Sequence, residues 1–303
     1  MRLPDEFIQN IQEAFPKYGP LWLLRLDKLI CECERRWTLK VMPHYPLSYN
    51  FAAPVKWEDG KEAVLKLSVP GPEFQAEEKA LRVLEGDGMV KLLESDLERG
   101  ILLLERLSPG TMLSDLENEE ITLQIAADVM KRVWKKAPFH SPLPSAASRI
   151  ESLETIYRLN PDGIGPISKE LLGNALYTFQ SMHSTREEFY LLHGDLHHFN
   201  ILQSGQDSWH AIDPKGLTGE REYDLIQFLL NRLPENEDPL AVIRNRAVFF
   251  SEALNLNKER ILSYGFCHSV LAAAWSVRKD ESFNKSFFSA ISAFQRLLNK
   301  EFP

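Results

Sequence analysis

A chain of 303 residues is long for one compact core and comfortable for two lobes, and its 44% hydrophobic and 26% charged residues rule out a disordered or fibrous protein. The formal charge of −8, from 43 acidic against 35 basic residues, excludes nucleic acid as a partner, because affinity for a phosphate backbone needs a basic face; a cationic small molecule would be drawn to such a surface. No apolar run is long enough to span a bilayer, the opening MRLPDEFIQNIQEAF is acidic and amphipathic rather than a signal sequence, and Cys31, Cys33 and Cys267 have no zinc or redox spacing. The expectation is a cytoplasmic protein with no membrane partner, in a reducing compartment.

In chain order, Pro4 to Phe15 reads as a helix with Phe7, Ile8, Ile11 and Phe15 on one face, and a second helix runs from about Leu21 to Arg35, where Cys31 and Cys33 are packing residues. Trp37 to Val41, Phe51 to Trp57 and Ala63 to Leu67 read as strands, the last two joined by the turn Glu58-Asp59-Gly60-Lys61. Gly71-Pro72 opens a helix to about Glu85, and Val90 to Glu94 and Ile101 to Arg106 add two strands around Glu98-Arg99-Gly100. From Ser108 onward long amphipathic segments dominate: about 119–136, 145–159, 168–183, 222–232, 240–254, 258–277 and 281–298, interrupted only by short strands near residues 191–213. The one boundary falls near Leu107 to Gly110, giving units of 1–107 and 108–303.

The octapeptide His193–Asn200, HGDLHHFN, concentrates the chemistry, together with Asp213, 18 residues downstream of Asp195. Phosphoryl transfer asks for positioning and charge neutralisation rather than covalent chemistry, so a carboxylate beside the nucleophile and oxygen ligands for a metal are what the protein must supply. Asp195 and Asn200 stand five apart, the spacing of the H-R-D-x-x-x-x-N catalytic loop. That assigns Asp195 to the attacking hydroxyl and Asn200 and Asp213 to magnesium. Reading His193, His197 and His198 as a zinc cluster fails for lack of a nearby cysteine and a closed set of four ligands. Lys66 lies in the otherwise apolar strand Ala63–Leu67, and a buried ammonium needs a partner. Glu77 is at helical spacing with Phe74, Leu81 and Leu84; Glu78 is the alternative, one residue round the helix.

The sequence resembles the aminoglycoside phosphotransferase family, within it the streptomycin 6-phosphotransferase and hydroxyurea kinase branch. The resemblance is carried by His193-Gly194-Asp195-Leu196-His197 with Asn200, by Ile212-Asp213-Pro214-Lys215-Gly216-Leu217, Gly219-Glu220 and Tyr223-Asp224-Leu225, and by Leu102–Leu107 followed by Pro109-Gly110. It implies an α+β, bilobal, protein-kinase-like fold with a small N-lobe built on an antiparallel sheet and a larger, mostly helical C-lobe. It implies ATP and Mg2+ as cofactors and a small hydroxyl-bearing substrate, a streptomycin-type aminoglycoside or hydroxyurea. Lys66 resembles the third-strand lysine that grips nucleotide phosphates, and the connector from Glu105 to Leu107 is expected to face the adenine with its backbone.

The chain departs from kinase pattern in three places. The stretch 41–50, VMPHYPLSYN, has no glycine where a glycine-rich phosphate loop is expected, so Ser48, Tyr49 or Asn50 would donate side-chain bonds, or the loop is structural. Asp213-Pro214-Lys215 stands in place of Asp-Phe-Gly, and Phe199 occupies a position where glycine is common in the motif. His193 is expected to shape the loop by hydrogen bonding, and Asp224 to tether a helix start or the loop. Glu235 and Asp238, in an acidic turn, are candidates for a substrate cation. The alternatives carried alongside are a metabolic kinase for an amino alcohol or sugar, and a nucleotide-binding module with little turnover.

Overall fold

The computed structural model describes residues 3–86, 88–186, 188–234, 238–278 and 282–302. The chain divides into two units: Met1–Thr111 with Gln203–His210, and Met112–Leu202 with Ala211–Pro303.

In the first unit, α1 (Asp5–Ala14) and α2 (Gly19–Trp37) precede β1 (Leu39–Val41), β2 (Phe51–Trp57) and β3 (Glu62–Leu67). Helix α3 (Pro72–Val83), β4 (Leu92–Asp96) and β5 (Ile101–Glu105) follow. The five strands pair antiparallel in the order β1-β2-β3-β5-β4. Side chains alternate across a strand, and the residues of one parity, Phe51, Ala53, Val55, Ala63, Leu65, Leu67, Ile101 and Leu103, form one core with Phe7 and Ile11 of α1 and Trp22, Leu26 and Ile30 of α2. Cys33 belongs to that core, and burial pushes its thiol up to about 12, a packing role, whereas Cys31, expected to pack as well, is exposed. Lys66 has the opposite parity and points to the face where α3 buries Phe74, Glu77 and Leu81. The predicted turn closes β2 onto β3, with the Gly60 N–H donating to the Trp57 carbonyl at φ +87°.

Beyond β5, β6 (Pro109–Met112) pairs into a three-stranded sheet, order β10-β9-β6, with β9 (Ile201–Ser204) and β10 (Ser208–Ala211). The second unit holds α4 (Glu119–Val133), β7 (Lys135–Lys136), α5 (Ser148–Leu159), α6 (Lys169–Ser184), β8 (Tyr190–Leu192) and β11 (Leu217–Gly219). It continues with α7 (Arg221–Asp224), α8 (Ile226–Leu230), α9 (Leu240–Leu254), α10 (Lys258–Trp275) and α11 (Lys285–Glu301). A second small sheet, order β11-β8-β7, is antiparallel throughout.

Three sequence expectations need correction here. The segment 119–136 stops being helical at Val133, because Lys135 and Lys136 are drawn into pairing with Leu191 and Tyr190. The segment 222–232 is two short helices meeting at Leu225, and it ends with Arg232 in the left-handed region at φ 53°. Helix α10 is not amphipathic: Ile261 to Ala274 is buried on every face, because α5, α6, α7, α8, α9 and α11 all pack around it. No helix of the described residues is long and apolar enough to cross a membrane.

The tightest point of that packing is Gly265, where a Cβ would lie 2.2 Å from a ring atom of the fully buried Phe294. Gly265→Ala should therefore lower stability by about 1–3 kcal/mol despite its better helix propensity. Pairing it with Phe294→Leu should recover part of the loss in urea unfolding. An unaltered midpoint in the single variant would show that the ring can move aside.

Candidate active site

The catalytic loop leaves β8, whose pairing with β7 on one side and β11 on the other fixes where His193 begins. Asp224, 2% exposed, then seizes the loop backbone: its carboxylate accepts the N–H of His193 at 3.0 Å and of Gly194 at 2.6 Å. The Trp134 indole N–H, 2.8 Å away, supplies the third donor. Burial pushes the Asp224 carboxyl upward, and the three donors oppose that push by favouring the charged form. Gly194 has φ +83°, and a Cβ there would crowd Leu217 at 3.1 Å and Lys215 at 3.3 Å, so this turn needs glycine.

His193 joins the two halves of the site. Its Nε2–H donates to the Ile212 carbonyl at 2.8 Å, which leaves Nδ1 to accept the Asp195 N–H at 3.3 Å, while its carbonyl accepts from Lys215 and Gly216. One neutral ring thus ties the backbone of Asp195 to the residue before Asp213. Burial pushes its pKa down to about 3. Asp213 has φ +57°, a conformation that asparagine and aspartate visit more readily than most residues.

Asn200 ends a single 3-10 turn, His198–Asn200. Its Nδ2 donates to the Asp195 carbonyl at 2.9 Å, and its own carbonyl accepts the Ile212 N–H at 2.9 Å. With the amide nitrogen committed, Oδ1 is the atom left to ligate a cation. Asn200 and Asp213 would each offer a hard oxygen, the donor type that suits magnesium, which keeps several of its waters and needs few carboxylates. The three histidines do not converge as zinc ligands: His193 is spent on backbone, and His198 is buried and stacked on Phe228 at 3.9 Å between ring centroids. Among the described residues no group of three or more His, Cys, Asp or Glu could hold a metal ion.

In the first unit Lys66 Nζ donates to Glu77 Oε1 at 2.6 Å, both residues being buried. Glu78 faces elsewhere, accepting from Arg82 and Ser95. Glu105 ends β5 and is bound twice to Lys91, whose N–H donates to the Glu105 side chain and whose carbonyl accepts its N–H; Leu107 follows in irregular backbone, 7% exposed. In the glycine-free loop the Met42 and Tyr45 amides are spent on the Pro54 and Ala52 carbonyls, and Asn10 of α1 donates to the Ser48 carbonyl. Asp238 is exposed and occupied by Arg296 at 2.6 Å and by the Leu240 N–H. Glu235 lies outside the described residues. Sequence reasoning missed Trp134: a tryptophan after a helix gives no sign of a partner 90 residues away.

Residues 47–280 match the family model described as aminoglycoside/hydroxyurea antibiotic resistance kinase. The chain belongs to that family. It is 28% identical to the streptomycin 6-kinase of Streptomyces griseus over 91% of both chains. It is 31% identical to the hydroxyurea phosphotransferase of Kitasatospora aureofaciens, over 93% of this chain and 82% of that one. Among solved structures, an APH(4)-Ia aminoglycoside phosphotransferase in a ternary complex with ADP and hygromycin B superposes with a TM-score of 0.66 at 14% identity, covering 90% of this chain and 99% of that one. The choline kinase LicA of Streptococcus pneumoniae gives 0.63 at 17% identity, over 91% and 99%. These structures establish the protein-kinase-like fold. Membership of the kinase family makes this chain an ATP-using phosphotransferase acting on a hydroxyl group of a small molecule.

Burial also pushes His197 down to about 4 and His198 to about 3, so this one loop carries three histidines held neutral. Unfolded, each takes up a proton near pH 6.5; folded, each does so only near pH 3–4. The stability they confer is complete above pH 6.5 and is lost as pH falls from there, by up to about 1.4 kcal/mol per pH unit for each ring. His198→Phe, which keeps a ring on Phe228, should flatten the dependence of urea-unfolding free energy on pH between 7 and 5 by about one proton. An unchanged slope would mean that His198 titrates normally in the folded protein.

Proposed function

We propose that the chain transfers the γ-phosphate of ATP, with magnesium, to a hydroxyl of a streptomycin-type aminoglycoside or of hydroxyurea, the substrates in the names of its relatives. The observation that carries the chemical reading is the Asp195–Asn200 interlock, in which the Asn200 amide is oriented by the Asp195 carbonyl and both are tied through Ile212 to Asp213. Asp195 orients the acceptor hydroxyl and receives its proton as the new O–P bond forms and the bond to the leaving ADP oxygen breaks. Asn200 and Asp213 would hold magnesium, which would supply neutralisation of the charge that develops on the transferring phosphate. Lys66, held by Glu77, grips the nucleotide phosphates; the backbone from Glu105 to Leu107 meets the adenine. An acceptor cation at Asp238 would have to displace Arg296, so the acidic turn contributes only if that exposed pair opens.

Asp195→Asn should lower kcat by about 100-fold or more while KM for ATP stays near its parent value. Asp213→Ala should instead weaken nucleotide binding most at limiting magnesium. Steady-state kinetics with labelled ATP would check both, and turnover preserved in the asparagine variant would remove Asp195 from its role.

The acceptor is tested by the same assay run with streptomycin, hydroxyurea, choline and a simple sugar. The proposal expects label on one of the first two. Transfer to choline or the sugar alone would replace the acceptor and leave the phosphotransferase intact.

A further inference from the structure

We propose that His197 is a positioning residue for Asp195, its Nε2–H setting the plane of the carboxylate that faces the acceptor hydroxyl. The inference deepens the reading above and rests on Asp195 being the hydroxyl-orienting group.

The argument begins with the tautomer. His197 is the residue before the 3-10 turn that carries Asn200, and its Nδ1 accepts the Phe199 N–H at 3.3 Å, capping that turn. A neutral imidazole has one bare nitrogen and one protonated one, so a ring that accepts at Nδ1 carries its hydrogen at Nε2. Nε2 lies 3.7 Å from Asp195 Oδ1 and 3.4 Å from Asn200 Nδ2. The second neighbour is itself a donor, so a bond to it would need a bare Nε2 and hence the opposite tautomer to the one the Phe199 N–H selects. The carboxylate oxygen is the acceptor in reach, and a small side-chain rotation closes 3.7 Å to a hydrogen bond.

The ring is well held for this task. Its Nδ1 is pinned by backbone, its edge meets Phe199 at 6.0 Å between centroids, and its side chain is 19% exposed beside the 25% exposed side chain of Asp195. An uncharged donor also fits the chemistry better than a lysine or arginine would. It orders the carboxylate without the full charge that would make Asp195 a poorer proton acceptor. The two nitrogens therefore have separable duties: Nδ1 holds the turn of Asn200, and Nε2 aligns Asp195.

Asparagine and glutamine separate them, because the Asn side-chain oxygen sits near the place of Nδ1 and the Gln amide nitrogen near that of Nε2. His197→Asn should keep the melting temperature and KM for magnesium-ATP close to the parent while kcat falls on the order of ten- to hundredfold. His197→Gln should recover most of that kcat, to within about threefold of the parent, even if losing the cap lowers its melting temperature. In the parent, 15N shifts of the His197 ring should show Nε2 protonated and Nδ1 bare, a readout independent of turnover.

A protonated Nδ1, a His197→Asn variant with undiminished kcat, or losses in both variants that follow melting temperature would each overturn the proposal. So would a loss confined to KM for magnesium-ATP, which would make His197 a support for Asn200 alone. Asp195→Asn run in parallel separates this inference from its foundation. If that variant turns over normally, the reading of Asp195 fails. If it is inactive while His197→Asn is not, only the positioning role fails. With both intact, adding His197→Asn to Asp195→Asn should cost no further activity.

Discussion

The buried carboxylate of Asp224 is the constraint on which the catalytic loop depends. A charge at 2% exposure is tolerable only because three N–H groups converge on it, two from the backbone of His193 and Gly194 and one from the Trp134 indole. These donors come from distant parts of the chain: the residue after α4, the start of the loop after β8, and, for the acceptor itself, the short helix α7. The loop is thereby fixed at the point where it leaves the sheet. Everything downstream, including the placement of Asp195, inherits that fixation.

From this anchor the site is built by backbone hydrogen bonds rather than by contacts among the reactive side chains. His193 bridges the Asp195 amide to the Ile212 carbonyl, and Asn200 bridges the Asp195 carbonyl to the Ile212 amide. Two struts of this kind lock Asp195 and Asp213 in register while leaving the Asn200 side-chain oxygen outside both bridges. The first strut works only with a neutral ring, since an imidazolium donates at both nitrogens and could not accept from Asp195. Burial, which keeps His193 uncharged, is therefore part of the geometry.

The first unit solves a simpler problem by a similar rule. Strand alternation puts Lys66 on the face away from the α1–α2 core, where α3 supplies Glu77 to a buried ion pair. Both members are buried, so the pair holds α3 to the sheet as well as fixing the ammonium. In the glycine-free loop, two amides already extend the β1–β2 pairing and Asn10 holds Ser48 from α1. That loop is held in place by its hairpin and by a neighbouring helix, a different arrangement from a flexible glycine cradle.

Much was legible in the linear chain. The five strands and inserted helix of the first unit follow from alternating apolar residues and local turns, and the spacing of Asp195, Asn200 and Asp213 is a short-range pattern that a sequence displays directly. Glu77 was legible because helical periodicity groups it with Phe74 and Leu81 on the face that meets Lys66, although both adjacent glutamates are buried. Tertiary structure decided what periodicity leaves open: that Trp134 ends a helix and reaches Asp224, that α10 is wrapped on all sides, and that Asp238 is engaged by Arg296. It also decided that His193 bears its hydrogen at Nε2, since that depends on the Ile212 carbonyl brought near by folding. Composition and local spacing specify which groups a chain possesses and where its short elements begin. Which donor meets which acceptor across many residues is set by packing, because the cost of burying an unpaired polar group is levied only once the chain has folded.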